Sequence, residues 1–151
     1  MKQKVIFLHD NKEGNTTFCL LYYKDEIFVG LARCHPEDED MKSRLIGEII
    51  AEMRAEIKKL NYIRNKEIKP EIKALQRLYD NMKFSKRFNP KSYESISLFR
   101  RIHHLEKQLD RIEIEILLVE QDLKDYLAMK EKSHKLIREY RNKTTKLVED
   151  N

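Results

Sequence analysis

Two aromatic side chains alternate with cations in the middle of the chain, where residues 83–90 read Lys-Phe-Ser-Lys-Arg-Phe-Asn-Pro. Phe84 and Phe88 offer rings on which bases stack, and the cations beside them suit phosphates. The closing Asn-Pro pair is a turn signal, so this segment is predicted to be irregular. The alternative is that both rings pack on the core while the cations face water. The sequence leaves these two readings open.

A second group of candidate anion ligands lies in the C-terminal half: Arg100, Arg101, His103, His104, Lys107 and Arg111. Lys107 and Arg111 stand four residues apart, so a helix places them on one face. Together with His104 they form a ridge that can meet an anion. The alternative is a solvated face on which these charges pair partly with Glu106 and Asp110.

A metal site is the weaker reading of the acidic run Cys34-His35-Pro36-Glu37-Asp38-Glu39-Asp40. Its carboxylates are adjacent in sequence, and no second His or Cys recurs at ligand spacing. Negative charge before a helix stabilises the helix N-terminus, which explains the run more simply. We therefore expect no metal and no cofactor, and we read Cys19 and Cys34 as free thiols. No nucleophile elbow, Gly-rich phosphate loop or HExxH motif is present, so an enzyme is not expected.

Composition narrows the class of protein. The 151 residues include 31 Lys and Arg, 26 Asp and Glu, and only three Gly and three Pro. This profile favours helices and argues against a β-sandwich, a collagen-like chain or a disulfide scaffold. No apolar run approaches the roughly 18 residues that span a membrane, so a cytoplasmic protein is expected. Residues 1–40 carry a net charge of −3 and residues 41–151 one of +8, and a basic surface attracts phosphate.

The first part of the chain predicts strands at residues 4–8, 16–23 and 26–33, where β-branched and aromatic residues are frequent. Apolar spacing then predicts a helix over 41–65, on which the small residues Gly47 and Ala51 permit close approach to the sheet. Pro70 should stop or kink this helix and begin a second one over 70–82.

The last third reads as one long amphipathic helix from about residue 92 to 141. Its apolar positions follow a heptad seam of Leu98, Ile102, Leu105, Leu109, Ile112, Ile116, Val119, Leu123 and Tyr126. Such a seam predicts self-association. We therefore expect a single α+β domain over 1–151. Residues 1–36 form a small antiparallel sheet of three to four strands, 40–90 the first helices and a loop, and 91–151 a long helix with a polar tail. The sheet packs on helices that form a helical hairpin or coiled-coil-like oligomer.

The N-terminal pattern carries a family resemblance. It runs through His9-Asp10 and Gly14-Asn15-Thr16, then Tyr23-x4-Phe28-x-Gly30-x-Ala32-x-Cys34-His35-Pro36-x-Asp38, and into a helix bearing Gly47, Ala51 and Arg54-Ala55. Over about residues 4–60 this resembles the first described Thoeris anti-defence family of phage proteins. The polar tail after about residue 126 extends beyond that pattern and leaves the assembly state open.

The resemblance implies a sponge that binds cyclic ADP-ribose isomers made by bacterial TIR-domain enzymes and holds them intact, in the cytoplasm of an infected host. It implies a homo-oligomer, from a dimer to a hexamer, with the pocket between protomers; some members also bind cyclic oligonucleotides. The ligand residues it implies are Arg54, Tyr79, Asn89 and Arg111, with Phe84 and Lys107 as second choices. From the sequence alone, a surface ion pair of Arg54 with Glu56 or Glu52 is favoured over a guanidinium that binds a phosphate.

Three alternatives stand beside the sponge. A basic coiled-coil oligomer that binds nucleic acid or a host protein needs only the charge and the heptad seam. The second alternative is a purely structural oligomer, which would bind neither a cyclic nucleotide nor nucleic acid. The third alternative is an enzyme.

Overall fold

The computed structural model describes residues 3–10, 16–33, 41–85 and 87–149. Residues 11–15 and residues 34–40, which include Cys34 and the acidic run, lie outside the described residues. The elements follow in the order β1 (Lys4–Asp10), β2 (Thr16–Tyr23), β3 (Glu26–Arg33), α1 (Met41–Tyr62), a π-helical segment (Ile63–Ile68), α2 (Lys69–Lys83) and α3 (Tyr93–Glu149). The predicted α+β class is confirmed, with three strands ahead of long helices.

The contacts divide the chain into two compact units. One comprises residues 1–56 and 119–151, and the other comprises residues 57–118. The sequence predicted a single domain, because neither a Gly- or Pro-rich linker nor a change in composition marks residue 57. Each unit has its own hydrophobic cluster.

The first unit contains an antiparallel sheet in the order β1-β2-β3. In the register of the sheet, Leu21 lies opposite Val5 on one side and Phe28 on the other. Cys19 and Leu21 of β2 are fully buried. They share a cluster with Ala32 of β3 and with three buried residues of α1, which are Ile50, Ala51 and Ala55. Two partly buried residues of α3, Leu123 and Tyr126, pack against this cluster.

Gly30 is the position where β3 approaches α1 most closely. A Cβ atom built on Gly30 would overlap the backbone carbonyl oxygen of Ala51 and would lie 2.7 Å from the backbone nitrogen of Ala55. Backbone cannot rotate away as a side chain can, so only glycine fits here. The predicted close approach of the helix to the sheet is confirmed at Ala51, and its partner on the sheet is Gly30.

The second unit begins where α1 gives way to the π-helical segment. The N–H of Lys69 bonds to the carbonyl of Arg64, five residues back, and Tyr62 and Lys69 keep helical backbone angles. Pro70 then occupies the first turn of α2, where its missing N–H costs little. The prediction that the helix ends near residue 65 is therefore wrong in detail, because a π turn carries the helical backbone through to Pro70.

The apolar seam of α3 is used inside the chain. Leu105 is buried with Ile68 and Ile72, and Leu109 and Ile112 pack around that cluster. The sequence predicted the seam correctly as a buried stripe but assigned it to self-association. Because residues of the same chain cover it, self-association needs another surface. The helix also continues to Glu149, beyond the predicted end near residue 141.

Candidate functional site

Arg54 lies in the first unit, on α1. Its Nη1 donates a hydrogen bond of 2.5 Å to the carbonyl oxygen of Leu31, on the edge strand β3. The guanidinium is partly buried. It therefore satisfies a backbone acceptor of the sheet, a role that the sequence did not predict.

The second unit carries a groove between the C-terminal half of α2 and the N-terminal part of α3. Its volume is about 410 Å³, and its lining residues are Gln76, Tyr79, Asp80, Lys83, Phe99, Ile102, His103 and Glu106. Cavities that hold small molecules span roughly 300–1,000 Å³. Of the six ligand residues predicted by the resemblance, Tyr79 is the one that lines this groove.

The position of the groove follows from the spacing of the apolar residues. Ile72 of α2 and Leu105 of α3 belong to one buried cluster, and Gln76 and Ile102, about one turn along the same two helices, line the groove. Arg101 and Glu71 add an ion pair of 2.9 Å between the same two helices, with both side chains about half exposed. Such an exposed pair contributes little to stability, but it fixes which residues of the two helices face one another.

Aromatic rings and cations meet in the groove. The Tyr79 ring contacts Phe88 edge to face at a centroid distance of 6.1 Å. The Nζ of Lys83 lies 4.6 Å from the centroid of the Tyr79 ring. On α3, the rings of Phe99 and His103 are nearly parallel, with centroids 6.4 Å apart. This arrangement offers flat apolar surfaces beside a mobile ammonium group, which suits a base linked to a phosphate.

The charges that line the groove are mixed. Lys83 is a cation, His103 carries an imidazole, and Asp80 and Glu106 are carboxylates. The ammonium group can pair with a phosphate group, and the carboxylates can accept hydrogen bonds from hydroxyl or amino groups. A nucleoside phosphate offers all of these partners, whereas a long polyanion would meet repulsion from the carboxylates.

The two phenylalanines of the predicted loop have different roles. Residues 84, 85 and 87–92 lie between α2 and α3 and are in neither helix nor strand, as predicted. Phe88 packs against Tyr79, whereas Phe84 is 86% exposed. One ring therefore contacts a residue that lines the groove, and the other faces solvent.

Asn89 shapes the turn that starts α3. Its side-chain oxygen accepts a 3.0 Å hydrogen bond from the N–H of Lys91. Its backbone carbonyl accepts one of 3.0 Å from the hydroxyl of Ser95, which is itself 2% exposed. Asn89 thus holds the turn in place, and the predicted contact between Asn89 and a ligand is not tested by this geometry.

The predicted ridge of His104, Lys107 and Arg111 forms as a row of exposed residues on α3, and the exposed Arg100 extends this row by one turn. Their spacing of four, three and four places them on one helix face. Nε2 of His104 lies 3.2 Å from the side-chain nitrogen of Gln108. Among the described residues that line the groove, neither Lys107 nor Arg111 is found.

Sequence reasoning did not place Phe99, His103 and Asp80 in one groove, although His103 was among the candidate anion ligands. A signal existed for the first two, since an aromatic and a histidine four residues apart share a helix face off the heptad seam. The sequence could not show that α2 would present Tyr79 and Lys83 to that face, because this depends on how the apolar faces of the two helices pack.

Within the described residues, no cluster of three or more His, Cys, Asp or Glu side chains is arranged to hold a metal ion. Over the same part of the chain, every helix is too short or too polar to cross a bilayer. A smaller cavity of about 250 Å³ in the first unit is lined by Ile49, Glu52, Met53, Glu56, Val119 and Asp122.

Comparison of the chain with protein-family models, curated proteins and solved structures gives no match. The resemblance to the Thoeris anti-defence family therefore stays a prediction, and the argument for function depends on the geometry of the groove.

Proposed function

We propose that this protein binds a cyclic nucleotide of the cyclic ADP-ribose class in the groove between α2 and α3 and holds it unchanged. The observation that carries the proposal is the pairing of aromatic surfaces with a cation in one groove, at Tyr79, Lys83 and Phe99. In the setting that the resemblance implies, such a protein would act as a sponge in the cytoplasm of an infected bacterium.

Each part of the ligand has a matching group. The adenine stacks against the aromatic surfaces, and Lys83 pairs with the diphosphate. Asp80 and Glu106 accept hydrogen bonds from the ribose hydroxyls or the exocyclic amine. A sponge needs affinity for the ground state and gains nothing from groups that favour a transition state. Stacking, one ion pair and a few hydrogen bonds are sufficient for that purpose.

A capture-and-release assay tests the proposal. The protein is incubated with a cyclic ADP-ribose isomer made by a TIR-domain enzyme and then removed by filtration. The filtrate is analysed by mass spectrometry before and after heat denaturation of the retained protein. We expect the ligand to disappear from the filtrate and to return intact after denaturation. Return of an altered product would indicate an enzyme, and no depletion would overturn the proposal.

Matched variants locate the site. Lys83→Ala removes the cation of the groove and should weaken capture on the order of tenfold or more, as expected for one charge-assisted contact. Lys73→Ala is the control, since Lys73 is also exposed on α2 but does not line the groove. Arg111→Ala distinguishes the ligand residues that line the groove from the ligand residues that the resemblance implies. A loss of capture there, with Lys83→Ala unaffected, would favour the residues implied by the resemblance over the groove.

One observation favours a second candidate function, the binding of nucleic acid along the row Arg100, His104, Lys107 and Arg111. Exposed cations at helical spacing can follow a phosphate backbone, and their affinity then falls steeply with salt. Titration of a fluorescent duplex at several salt concentrations tests this alternative. Binding whose salt dependence decreases in Lys107→Ala would support it, while capture of the cyclic nucleotide without binding of the duplex would exclude it.

A further inference from the structure

The three-stranded sheet has two faces, and the described helices cover one of them. The strand residues that pack in the cluster with α1 and α3 are Val5, Phe7, Cys19, Leu21, Phe28 and Ala32. Side chains alternate along a strand, so these residues share one face of the sheet. Within the described residues, the side chains of the opposite face belong to neither hydrophobic cluster. We call this opposite face the outer face.

The outer face is mostly apolar. The register of the strands arranges it in four rows, each with one residue from β1, β2 and β3. The two central rows are Ile6-Leu20-Val29 and Leu8-Phe18-Leu31, and the end rows are Lys4-Tyr22-Ile27 and Asp10-Thr16-Arg33. These rows contain every paired residue whose side chain points this way. Eight of the twelve positions are therefore apolar or aromatic.

Water reaches the apolar side chains of the outer face. Ile27 is 52% exposed, Leu8 50% and Val29 38%, and the remaining apolar side chains of the face are partly exposed. The four rows extend roughly 20 Å along the strands and roughly 10 Å between the two outer strands. Because pleated strands present their side chains next to one another, this surface is broad rather than deep. A contiguous apolar surface of this kind marks an interaction site.

Cations border the outer face at two of its corners. The end rows place Lys4 and Arg33 at opposite corners, with Asp10 at a third. Nζ of Lys4 lies 5.0 Å from the centroid of the Tyr22 ring. Tyrosine and lysine both have an apolar body and a polar tip, and such side chains are typical of the headgroup level of a bilayer.

The tail of α3 brings further cations to the same unit. Nζ of Lys130 donates a 2.6 Å hydrogen bond to the carbonyl oxygen of Arg33, so the tail begins beside one end of β3. Residues 130–149 contain seven Lys and Arg and three Glu, which gives a net charge of +4. Four of these cations are exposed, namely Lys132, Lys135, Arg138 and Lys143. A group of cations close to an apolar surface suits a partner that is apolar inside and anionic at its boundary.

We propose that the outer face binds the surface of a lipid bilayer that contains anionic lipids. The apolar side chains of the central rows enter the boundary of the acyl chains, and the cations of the end rows and the tail pair with headgroups. This interaction goes beyond the capture of a nucleotide. A sheet that lies on a bilayer needs no spanning helix, so the polar character of the helices is compatible with it.

Charge complementarity favours a bilayer over two other partners. A second copy of the chain carries the same net charge of +5 and offers no excess of anions to the tail. Nucleic acid offers anions, but a polyanion gains nothing from the apolar central rows. An anionic bilayer matches both the apolar rows and the cations.

The first test measures flotation of the protein with vesicles of phosphatidylcholine that contain about 30% phosphatidylserine. The wild type should float with the vesicles. Ile27→Glu should weaken binding at least about tenfold, because a carboxylate then meets the acyl boundary. Leu78→Glu is the matched control, since Leu78 on α2 is also 52% exposed; it should bind as the wild type does. A wild type that does not float, or an equal loss in both variants, would overturn the proposal.

The second test reverses charges of the tail. K132E/K143E replaces two exposed cations of the tail, and K66E/K73E replaces two exposed cations of the second unit with the same change in net charge. K132E/K143E should weaken binding to the phosphatidylserine vesicles roughly tenfold or more, whereas K66E/K73E should keep most of the binding. Equal losses would mean that the vesicles respond to net charge alone, and this would contradict the assigned site.

The third test locates the contact with an environment-sensitive fluorophore. Leu8→Cys and Leu78→Cys, each combined with Cys19→Ala and Cys34→Ala, carry the label at positions that are 50% and 52% exposed. Addition of the phosphatidylserine vesicles should shift the emission of the label at residue 8 to shorter wavelength, because the label enters an apolar environment. The label at residue 78 should not change. Binding without a shift at residue 8 would mean that the tail alone holds the vesicle, which would overturn the outer face as the site.

The same variants identify any other occupant of the outer face. A wild-type dimer that Ile27→Glu converts to a monomer, measured by sedimentation without vesicles, would assign the face to a second copy and overturn the proposal. Binding of a fluorescent duplex in place of vesicles would also overturn it. Lys83→Ala should leave vesicle binding unchanged, because Lys83 lines the groove of the second unit. Failure of bilayer binding is therefore distinguishable from failure of ligand capture.

Discussion

At the scale of single residues, burial decides which chemically active groups remain available. Cys19 is fully buried between the sheet and α1. Burial raises the pKa of its thiol from 9.0 to about 11, and the negative charges of Glu52 and Glu56 add to this effect. The thiol is therefore neutral at physiological pH. This agrees with the sequence prediction of a free thiol and shows in addition that it is a poor nucleophile.

The raised pKa predicts a dependence of stability on alkaline pH. The folded protein keeps the Cys19 proton up to about pH 11, whereas the unfolded chain loses it near pH 9. Unfolding therefore releases a proton in this range, and stability falls as pH rises from about 9 to about 11. Below pH 9 the thiol is protonated in both states and adds no pH dependence.

Urea unfolding of the wild type and of Cys19→Ala, at several values between pH 8 and pH 11, isolates this effect. The wild type should lose about 2–3 kcal/mol more than the variant across the range. Other groups that titrate there are common to both proteins, so their contribution cancels in the difference. A constant difference between the two proteins at all pH values would show that the thiol ionises equally in both states.

At the scale of secondary-structure elements, one glycine determines how closely a strand and a helix pack. Gly30→Ala would place a Cβ against the backbone of Ala51 and Ala55. Since β3 or α1 must then shift, we expect a loss of about 1–3 kcal/mol in the free energy of unfolding. Chemical denaturation measures it. Ile27→Ala, at a half-exposed position on the same strand, should cost less, and an equal cost would argue against the close approach.

The elements also show what the sequence could and could not reveal. Residue type and spacing predicted both longer strands to the residue, because β-branched and aromatic residues end abruptly at polar turns. The heptad spacing predicted α3 and its buried stripe, but not that Ile68 and Ile72 of the same chain would cover it. The sequence predicted a phosphate or a neighbouring carboxylate as the partner of Arg54, whereas Nη1 donates to a backbone carbonyl of β3. A backbone partner leaves no trace in residue types, so pattern alone could not identify it.

At the scale of the whole molecule, the first unit depends on residues that are distant in sequence. Leu123 and Tyr126 of α3 pack against the core that β2, β3 and α1 build. Nζ of Lys130 also donates a 2.6 Å hydrogen bond to the carbonyl oxygen of Arg33. The strands are synthesised first, but their core stays incomplete until the end of the chain is present. Such long-range contacts slow folding, because a long loop must close before they form.

Truncation tests this dependence on the C-terminal segment. A chain that ends after Leu118 loses both apolar contacts, at about 1–3 kcal/mol for each side chain. This is a large part of the 5–15 kcal/mol by which a domain is typically stable. We therefore expect the sheet of the shortened chain to lose cooperative thermal unfolding. Near-ultraviolet circular dichroism of the tyrosines measures this transition. A chain that ends after Lys132 keeps Leu123, Tyr126 and Lys130 and should unfold within a few degrees of the full chain.

The full-length double variant L123A/Y126A separates lost packing from lost chain length. If packing is responsible, this variant should be destabilised nearly as much as the chain that ends after Leu118, although it retains every residue of α3. Equal melting temperatures for the two truncated chains would instead mean that the strands and α1 complete their core without α3. In the first case the heptad seam has two separate uses, since Leu105 closes the core of one unit and Leu123 that of the other.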